Sequence, residues 1–283
     1  MRKTMFLLIV CFLVAFRAQT QPTRLVVRAD DMGSSHAANE AIIKTCKEGI
    51  VTSVEIMVTT PWFPEAVKML NENPGIDVGL HLTLTSEWEN IKWRPLTECP
   101  SLVDKNGFFF PMIYPNKNYP GQAILENNWK TADIEKEFRA QIELALSNIP
   151  RISHLSSHMG CGGFSPEVSA LTARLAEEYK IGNELNGLQV DYAGYDGPSK
   201  TSSEKVQGFL SMLNKLEQGK TYIFIDHPGL DNEELKAVYH IGYEQVSVDR
   251  QGVTDVLTHE KVKALIKEKG IQLVSYKDVI SNQ

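Results

Sequence analysis

No CxxC pair occurs anywhere in the 283 residues, which argues against a cysteine-built zinc cluster. Of the four cysteines, Cys11 lies in an N-terminal apolar run, and Cys46, Cys99 and Cys161 are scattered singly. An odd remainder with irregular spacing is no disulfide framework. Basic charge is not in excess: 29 Lys and Arg stand against 35 Asp and Glu, a net charge of −6. The chain therefore has no global basic field to attract nucleic acid or an anionic membrane. No GxGxxG or GxxxxGK[ST] motif follows the first strand-like stretch, so a nucleotide site lacks its main support. There is no long charge run, low-complexity tract or internal repeat.

The N-terminal apolar run is also short. Met5 to Phe16 is 12 residues, against the roughly 20 that a comfortable membrane-spanning helix needs. Arg2 and Lys3 precede the run and small and polar residues follow it, the layout of a secretory signal peptide. Residues 1–20 are expected to be such a segment, with a signal anchor as the competing reading. The mature chain would then be secreted or periplasmic. Cys11 lies inside the run, not at its end, which argues against lipidation. Hydrophobic content of 42% and charged content of 23% are ordinary for a soluble globular protein. The expectation is one domain over 21–283 with no membrane contact of its own. The oligomeric state stays open, with a homodimer among the options.

Strands and helices alternate along the rest. Strand RLVVRAD (24–30) precedes a helix over SSHAANEAIIKTCKEG (34–49) that Gly49 stops. Strand SVEIMV (53–58), helix PEAVKMLNEN (64–73) and strand DVGLHLTL (77–84) follow. A long amphipathic helix is expected near 131–148, then strand ISHLSSH (152–158), helix 165–180 and a weak strand around 185–190. Helix 204–219, strand TYIFIDH (221–227), helix 258–270 and strand IQLVSY (271–276) close the chain. Such alternation indicates a mainly parallel α/β sheet. About seven strands over this length suit a distorted, TIM-barrel-like (β/α) barrel better than an open doubly wound sheet.

Residues 86–130 interrupt the alternation. They carry Trp88, Trp93, Phe108, Phe109, Phe110, Tyr114, Tyr119 and Trp129. A connection this long is usually functional or disordered, and its aromatic content argues against disorder. Two readings stand: flat faces for a sugar ring or peptide, or a satellite apolar cluster closing one barrel end.

RADDMG raises the chemical question, because adjacent carboxylates after the apolar LVV repel unless a cation or solvent screens them. One reading is a helix cap; the other is a metal or acid/base site at a strand's mouth. Strand parity places His81 with Gly79 and Thr83 on the small, polar face of DVGLHLTL. His154, Ser156 and His158 share a face by the same period, and an i, i+4 His pair is a spacing used by metal sites. Gly160, Gly162 and Gly163 follow, and IDHPG sets Asp226 and His227 at another strand end. Asp30, Asp31, His81, His154, His158 and His227 thus converge at the C-terminal edge of the sheet, where parallel α/β folds build their sites. His36, His240 and His259 read as surface residues.

Taken in order, RADDMG, GIVTSVEIMV, DVGLHLTL, SHLSSHMG and DHPG resemble the YdjC-like carbohydrate deacetylases. So do SLVDKNGFF and the closing DVLTHEKVKALIKEKGIQLVSYKDV, and the resemblance covers roughly residues 24–280. It implies a distorted (β/α) barrel and one divalent metal ion, magnesium or zinc, held by Asp31, His81 and His158. It implies Asp30 as general base and His227 as general acid or oxyanion partner. The implied substrate is an N-acetylated mono- or oligosaccharide of the N-acetylglucosamine type. Two departures stand out: Ser156 replaces the Asp of the family's HLDSH stretch, and Met159-Gly160-Cys161-Gly162 replaces its HHVH continuation. Alternatives are another metal-dependent hydrolase or isomerase on the same barrel, or a non-catalytic carbohydrate-binding descendant.

Overall fold

Nine consecutive residues, Arg24–Met32, form β1, against which the other strands are ordered. The computed structural model describes residues 21–183 and 187–280. Beyond β1 the chain alternates α1 (His36–Lys47), β2 (Ser53–Ile56), α2 (Phe63–Asn71), β3 (Asp77–Leu82), α3 (Thr131–Asn148), β4 (His154–Ser157) and α4 (Pro166–Tyr179). The second half supplies β5 (Gly182–Asn183), β6 (Asp191–Ala193), α5 (Ser202–Lys215), β7 (Thr221–Asp226) and α6 (Glu233–Lys236). It ends with α7 (Val246–Thr258), α8 (Glu260–Glu268), β8 (Gln272–Leu273) and α9 (Tyr276–Ile280).

The strand order is β5-β4-β3-β2-β1-β7-β6, with β8 also on β1. The ladders are parallel. Among the described residues no ladder joins β5 to β6, so the sheet is a curled half-barrel with helices packed on it. This is the expected α/β barrel in an incompletely closed form. No helix of the described residues is long and apolar enough to cross a membrane.

Alternate residues along each strand meet two environments. Leu25, Val27 and Ala29 of β1, Val54 and Ile56 of β2, and Val78, Leu80 and Leu82 of β3 join the main apolar core with helix residues such as Ile42, Phe138 and Phe209. Burying each large aliphatic side chain contributes ~1.5–3 kcal/mol. The opposite parity faces inward. There Val26, Ile223, Val274, Tyr276 and Val279 form a small apolar plug. Beyond it along the strands come buried polar residues: Arg28, Asp30, Glu55, His81, His154 and Ser156.

Three elements differ from expectation. The weak strand expected around 185–190 does not form in its described part: residues 187–190 are turn and irregular, 184–186 lie outside the described residues, and β5 and β6 flank the stretch. The last strand shortens to β8 because Ser275 Oγ accepts from Asp278 N and caps a helix from Tyr276. The sequence reading contains no helix at 246–258. VSVDRQGVTDVLT is rich in β-branched residues and holds Gly252, all poor helix formers. Tertiary burial decides it, with Val246, Val253, Val256 and Leu257 fully covered. The expected signal segment, residues 1–20, lies outside the described residues.

The aromatic segment mostly closes the core. Trp88, Trp93 and Phe109 are buried in the main cluster and Tyr119 in a small one, while Tyr114 is exposed.

Gly33 carries φ of 100°, and a Cβ there would stand 2.8 Å from the Met57 carbonyl oxygen and 2.9 Å from Thr60 Oγ1. Gly33→Ala is expected to lower the unfolding free energy by about 2 kcal/mol or more. Urea unfolding checks this, and an unchanged midpoint would contradict it.

Candidate metal centre

The β1–β2 ladder runs Arg28↔Ser53 and Ala29↔Val54, then resumes at Met32↔Ile56. Three steps along β1 match two along β2, which is a bulge, and Asp30 and Asp31 occupy it. Asp31 has φ of 69°, a left-handed conformation that Asp tolerates better than most residues. Adjacent residues of a straight strand face opposite ways, so the pair needs a bend near Asp31; the structure places it at Asp31, with Gly33 following at φ of 100°. The cap reading of the pair fails, because α1 is capped by Ser35, whose Oγ accepts from Ala38 N at 3.0 Å.

The bulge turns both carboxylates toward the polar interior. Asp31 Oδ2 accepts from Arg250 Nη2 at 2.8 Å. Asp31 Oδ1 faces two imidazoles, with His158 Nδ1 at 3.2 Å and His81 Nε2 at 3.7 Å. Asp30 is held twice by Arg28, Nε to Oδ1 at 2.8 Å and Nη2 to Oδ2 at 2.9 Å, and its Oδ2 lies 3.7 Å from His81 Nε2. His227 stands at the rim with 39% of its side chain exposed, its Nε2 4.0 Å from Asp31 Oδ2. Behind it, Asp226 Oδ1 lies 3.6 Å from His227 Nδ1, and the Tyr195 hydroxyl donates to Asp226 Oδ2 at 2.8 Å.

Of the six residues expected to converge, His154 is the exception. Its Nε2 meets Glu55 Oε1 at 2.7 Å and its ring stacks on Tyr276 at 3.6 Å, deep in the barrel. The i, i+4 pair with His158 is therefore no joint metal motif, because β4 ends at Ser157 and His158 opens the following turn. His36, His240 and His259 are half-buried and away from the group, as N1 of α1, a stacking partner of Trp88 and the cap of α8. Cys46, Cys99 and Cys161 are in no disulfide among the described residues.

Sequence reasoning missed four charged partners. Arg28 was findable by parity, two residues before Asp30 on one strand. Glu55 sits at an inward position of β2, legible only as a charge in an apolar strand. Glu87, whose Oε2 lies 3.0 Å from His158 Nε2, and Arg250 left no local signal. Glu87 and Trp88 begin the long aromatic segment, and Trp88 lies 5.3 Å from the Arg250 guanidinium. That segment thus serves the site through its first residues.

Burial by itself would raise the Asp31 carboxyl, but His227, His158 and Arg250 outweigh it and hold the carboxyl well below its usual range. Burial lowers His81 to about 4. His158 is also pressed down by burial, yet Glu87 and Asp31 raise it to about 10. His227 is raised because Asp31 and Asp226 overcome its desolvation.

Asp31, His81 and His158 each offer a donor atom within 4.8 Å of the others. Two donors ~2.0–2.2 Å from one small divalent ion stand roughly 3–3.6 Å apart, close to the observed spacings. Asp31 Oδ1, fully buried, accepts no hydrogen bond of proper geometry. Such an orphaned acceptor demands a partner, and a cation there would supply one. The residues present therefore fit a metal ion, with one carboxylate and two imidazoles leaving further positions open.

A family model described as YdjC-like protein matches residues 24–268. The chain belongs to the YdjC-like family. This YdjC-like chain is 28% identical over 266 residues to a carbohydrate deacetylase of Geobacillus stearothermophilus, covering 91% of this chain and 98% of that one. It is 27% identical over 272 residues to a carbohydrate deacetylase of Enterococcus faecalis, covering 90% and 98%. A crystal structure of a protein from Enterococcus faecalis matches with TM-score 0.72 at 24% identity over 92% of this chain and 99% of that one. That likeness shows a shared fold.

Burial would raise Glu55, but its His154 partner outweighs this and lowers it from 4.5 to about 2. A carboxyl depressed by folding stabilises above its unfolded value and loses that contribution as pH falls toward the folded one. The stability advantage of wild type over Glu55→Gln is expected to narrow between pH 4.5 and 2, by on the order of 3 kcal/mol. Urea unfolding across that pH window tests this; a constant difference would rule it out.

Proposed function

We propose that this protein is a metal-dependent carbohydrate deacetylase that hydrolyses the acetamide of N-acetylglucosamine-type sugars. The observation that carries the reading is the Asp31, His81 and His158 group around an unsatisfied buried oxygen, in a YdjC-like chain. The relatives named carbohydrate deacetylase support the substrate class. Asp31, His81 and His158 would hold the ion, with zinc suiting the donor set best and magnesium as the alternative. When bound, the ion would polarise the acetamide carbonyl and acidify the attacking water.

The chain's own groups supply the proton transfers. Asp30 takes the proton of the attacking water, its carboxylate aimed by the two Arg28 contacts. The carbon–nitrogen bond then breaks, and His227 delivers a proton to the leaving amine. Asp31's charge keeps that imidazole protonated to a higher pH than usual, and Asp226 and Tyr195 steady its other side. Arg250 holds Asp31 Oδ2, so that only Oδ1 points at the ligand position. The products are acetate and the free amino sugar.

Acetate release from a panel of N-acetylated oligosaccharides tests the reading in metal-loaded protein. His81→Ala and His158→Ala are expected to abolish release and metal binding together. Asp30→Asn should keep the metal and lose at least roughly 100-fold in turnover. Metal bound at one per chain with no release from any substrate would point instead to another metal-dependent hydrolase. Absence of both would sink the enzyme reading. We also propose export, on the strength of Arg2, Lys3 and the Met5–Phe16 run. N-terminal sequencing of protein recovered outside the cytoplasm should then begin near residue 21.

A further inference from the structure

Ser156 has one hydroxyl proton and two neighbours that want it. Its Oγ lies 2.8 Å from His81 Nδ1 and contacts Glu55 Oε2 as a donor. The other carboxylate oxygen, Glu55 Oε1, lies 2.7 Å from His154 Nε2. All four side chains are buried, Glu55 and His154 completely. They depend on one another for hydrogen bonds. Gly79 makes the room, since a Cβ at that position would collide with Glu55 Oε2 and His154 Nε2. His154 is fixed in turn by Ser153 Oγ at 2.8 Å on Nδ1 and by the stacked Tyr276 ring. The carboxylate is thus clamped from beneath.

Donor and acceptor chemistry then sets the direction of the chain. An ionised carboxylate only accepts, and so does the Leu80 carbonyl 3.5 Å from Ser156 Oγ. The serine proton goes to Glu55, which leaves the serine oxygen as the acceptor for His81 Nδ1. A neutral imidazole carries its proton on one nitrogen and a lone pair on the other. With the proton on Nδ1, the lone pair lies on Nε2, the atom that faces Asp31 Oδ1 at 3.7 Å.

We infer that Glu55, acting through Ser156, is a positioning residue that locks His81 in the Nδ1–H tautomer and presents its Nε2 lone pair to the metal position. The hydrogen-bond chain stands on its own geometry; its purpose rests on the metal reading above. A bare serine could serve His81 as donor or acceptor, and Glu55 removes that ambiguity. Glu87 plays the matching part for His158 from the opposite ring nitrogen, so the two imidazoles face the same point through different atoms.

Proton–nitrogen correlation NMR of the metal-free protein near neutral pH reads the tautomer, with the His81 signals assigned against His81→Ala. Wild type is expected to show His81 as Nδ1–H; an Nε2–H form overturns the inference outright. Glu55→Met frees the serine proton for His81 and is expected to flip the tautomer, and retention of Nδ1–H there removes Glu55 from the role. Ser156→Ala should mix the tautomers and weaken zinc binding roughly 10–100-fold in chelator competition. Ser156→Thr keeps the hydroxyl and should restore both. Equal losses in the Ala and Thr variants would assign the site to packing and overturn the inference. Wild type that binds no zinc would defeat the metal reading, while the tautomer measurement would still decide the hydrogen-bond chain.

Discussion

A carboxylate taken out of water costs several kcal/mol unless charge and hydrogen bonds replace its hydration. Asp31 is 1% exposed, and the mouth of the barrel is arranged around meeting that demand. One oxygen is satisfied by Arg250, which is drawn from a helix 219 residues further along the chain. The other faces two imidazoles and lacks a proper hydrogen bond. Removing Arg250 would leave Asp31 Oδ2 without its hydrogen-bond donor and the charge to His158 and His227 alone. The bulge in β1 and the left-handed Asp31 backbone aim this one group inward, and α7 brings Arg250 to it.

The interior behind it is layered. An apolar plug of Val26, Ile223 and Tyr276 closes one end. A polar tier of Glu55, His154 and Ser156 lies on it, and the candidate metal group forms the top. Each tier restrains the one above: Tyr276 stacks on His154, His154 pairs with Glu55, and Glu55 reaches His81 through Ser156. Parallel sheets usually fill such space with aliphatic residues. A fully partnered polar network instead gives His81 one defined orientation.

The two departures from the family pattern take on meaning in this setting. Ser156 does not leave His81 without a carboxylate; Glu55 stands one hydrogen bond further back, on the next strand but one from β4. After His158 the chain turns through Met159 and Gly160, both with positive φ. Cys161 then donates through its thiol to the Leu82 carbonyl at 3.0 Å, tying the turn to the end of β3. The replaced residues thus anchor the loop that carries a candidate ligand.

Alternating apolar runs and helical periods made the parallel α/β barrel legible, because backbone pairing and burial periodicity are local properties. The strand-end positions of Asp30, Asp31, His81, His158 and His227 were legible for the same reason: parallel topology brings those ends to one edge. His154 looked equivalent to His158, yet it opens β4 against Glu55 and Tyr276, whereas His158 lies past the end of that strand at the site. Glu87, Arg250 and Glu55 were invisible as partners, since ion pairing across 71 to 219 residues leaves no periodic trace. Helix α7 contradicts its own propensities and forms because four of its apolar residues are covered by the rest of the molecule. The sequence by itself determined which residues could bear the chemistry and at which edge they would gather. Only the tertiary structure decided which charges neutralise which, because that choice depends on distance and burial that no local stretch contains.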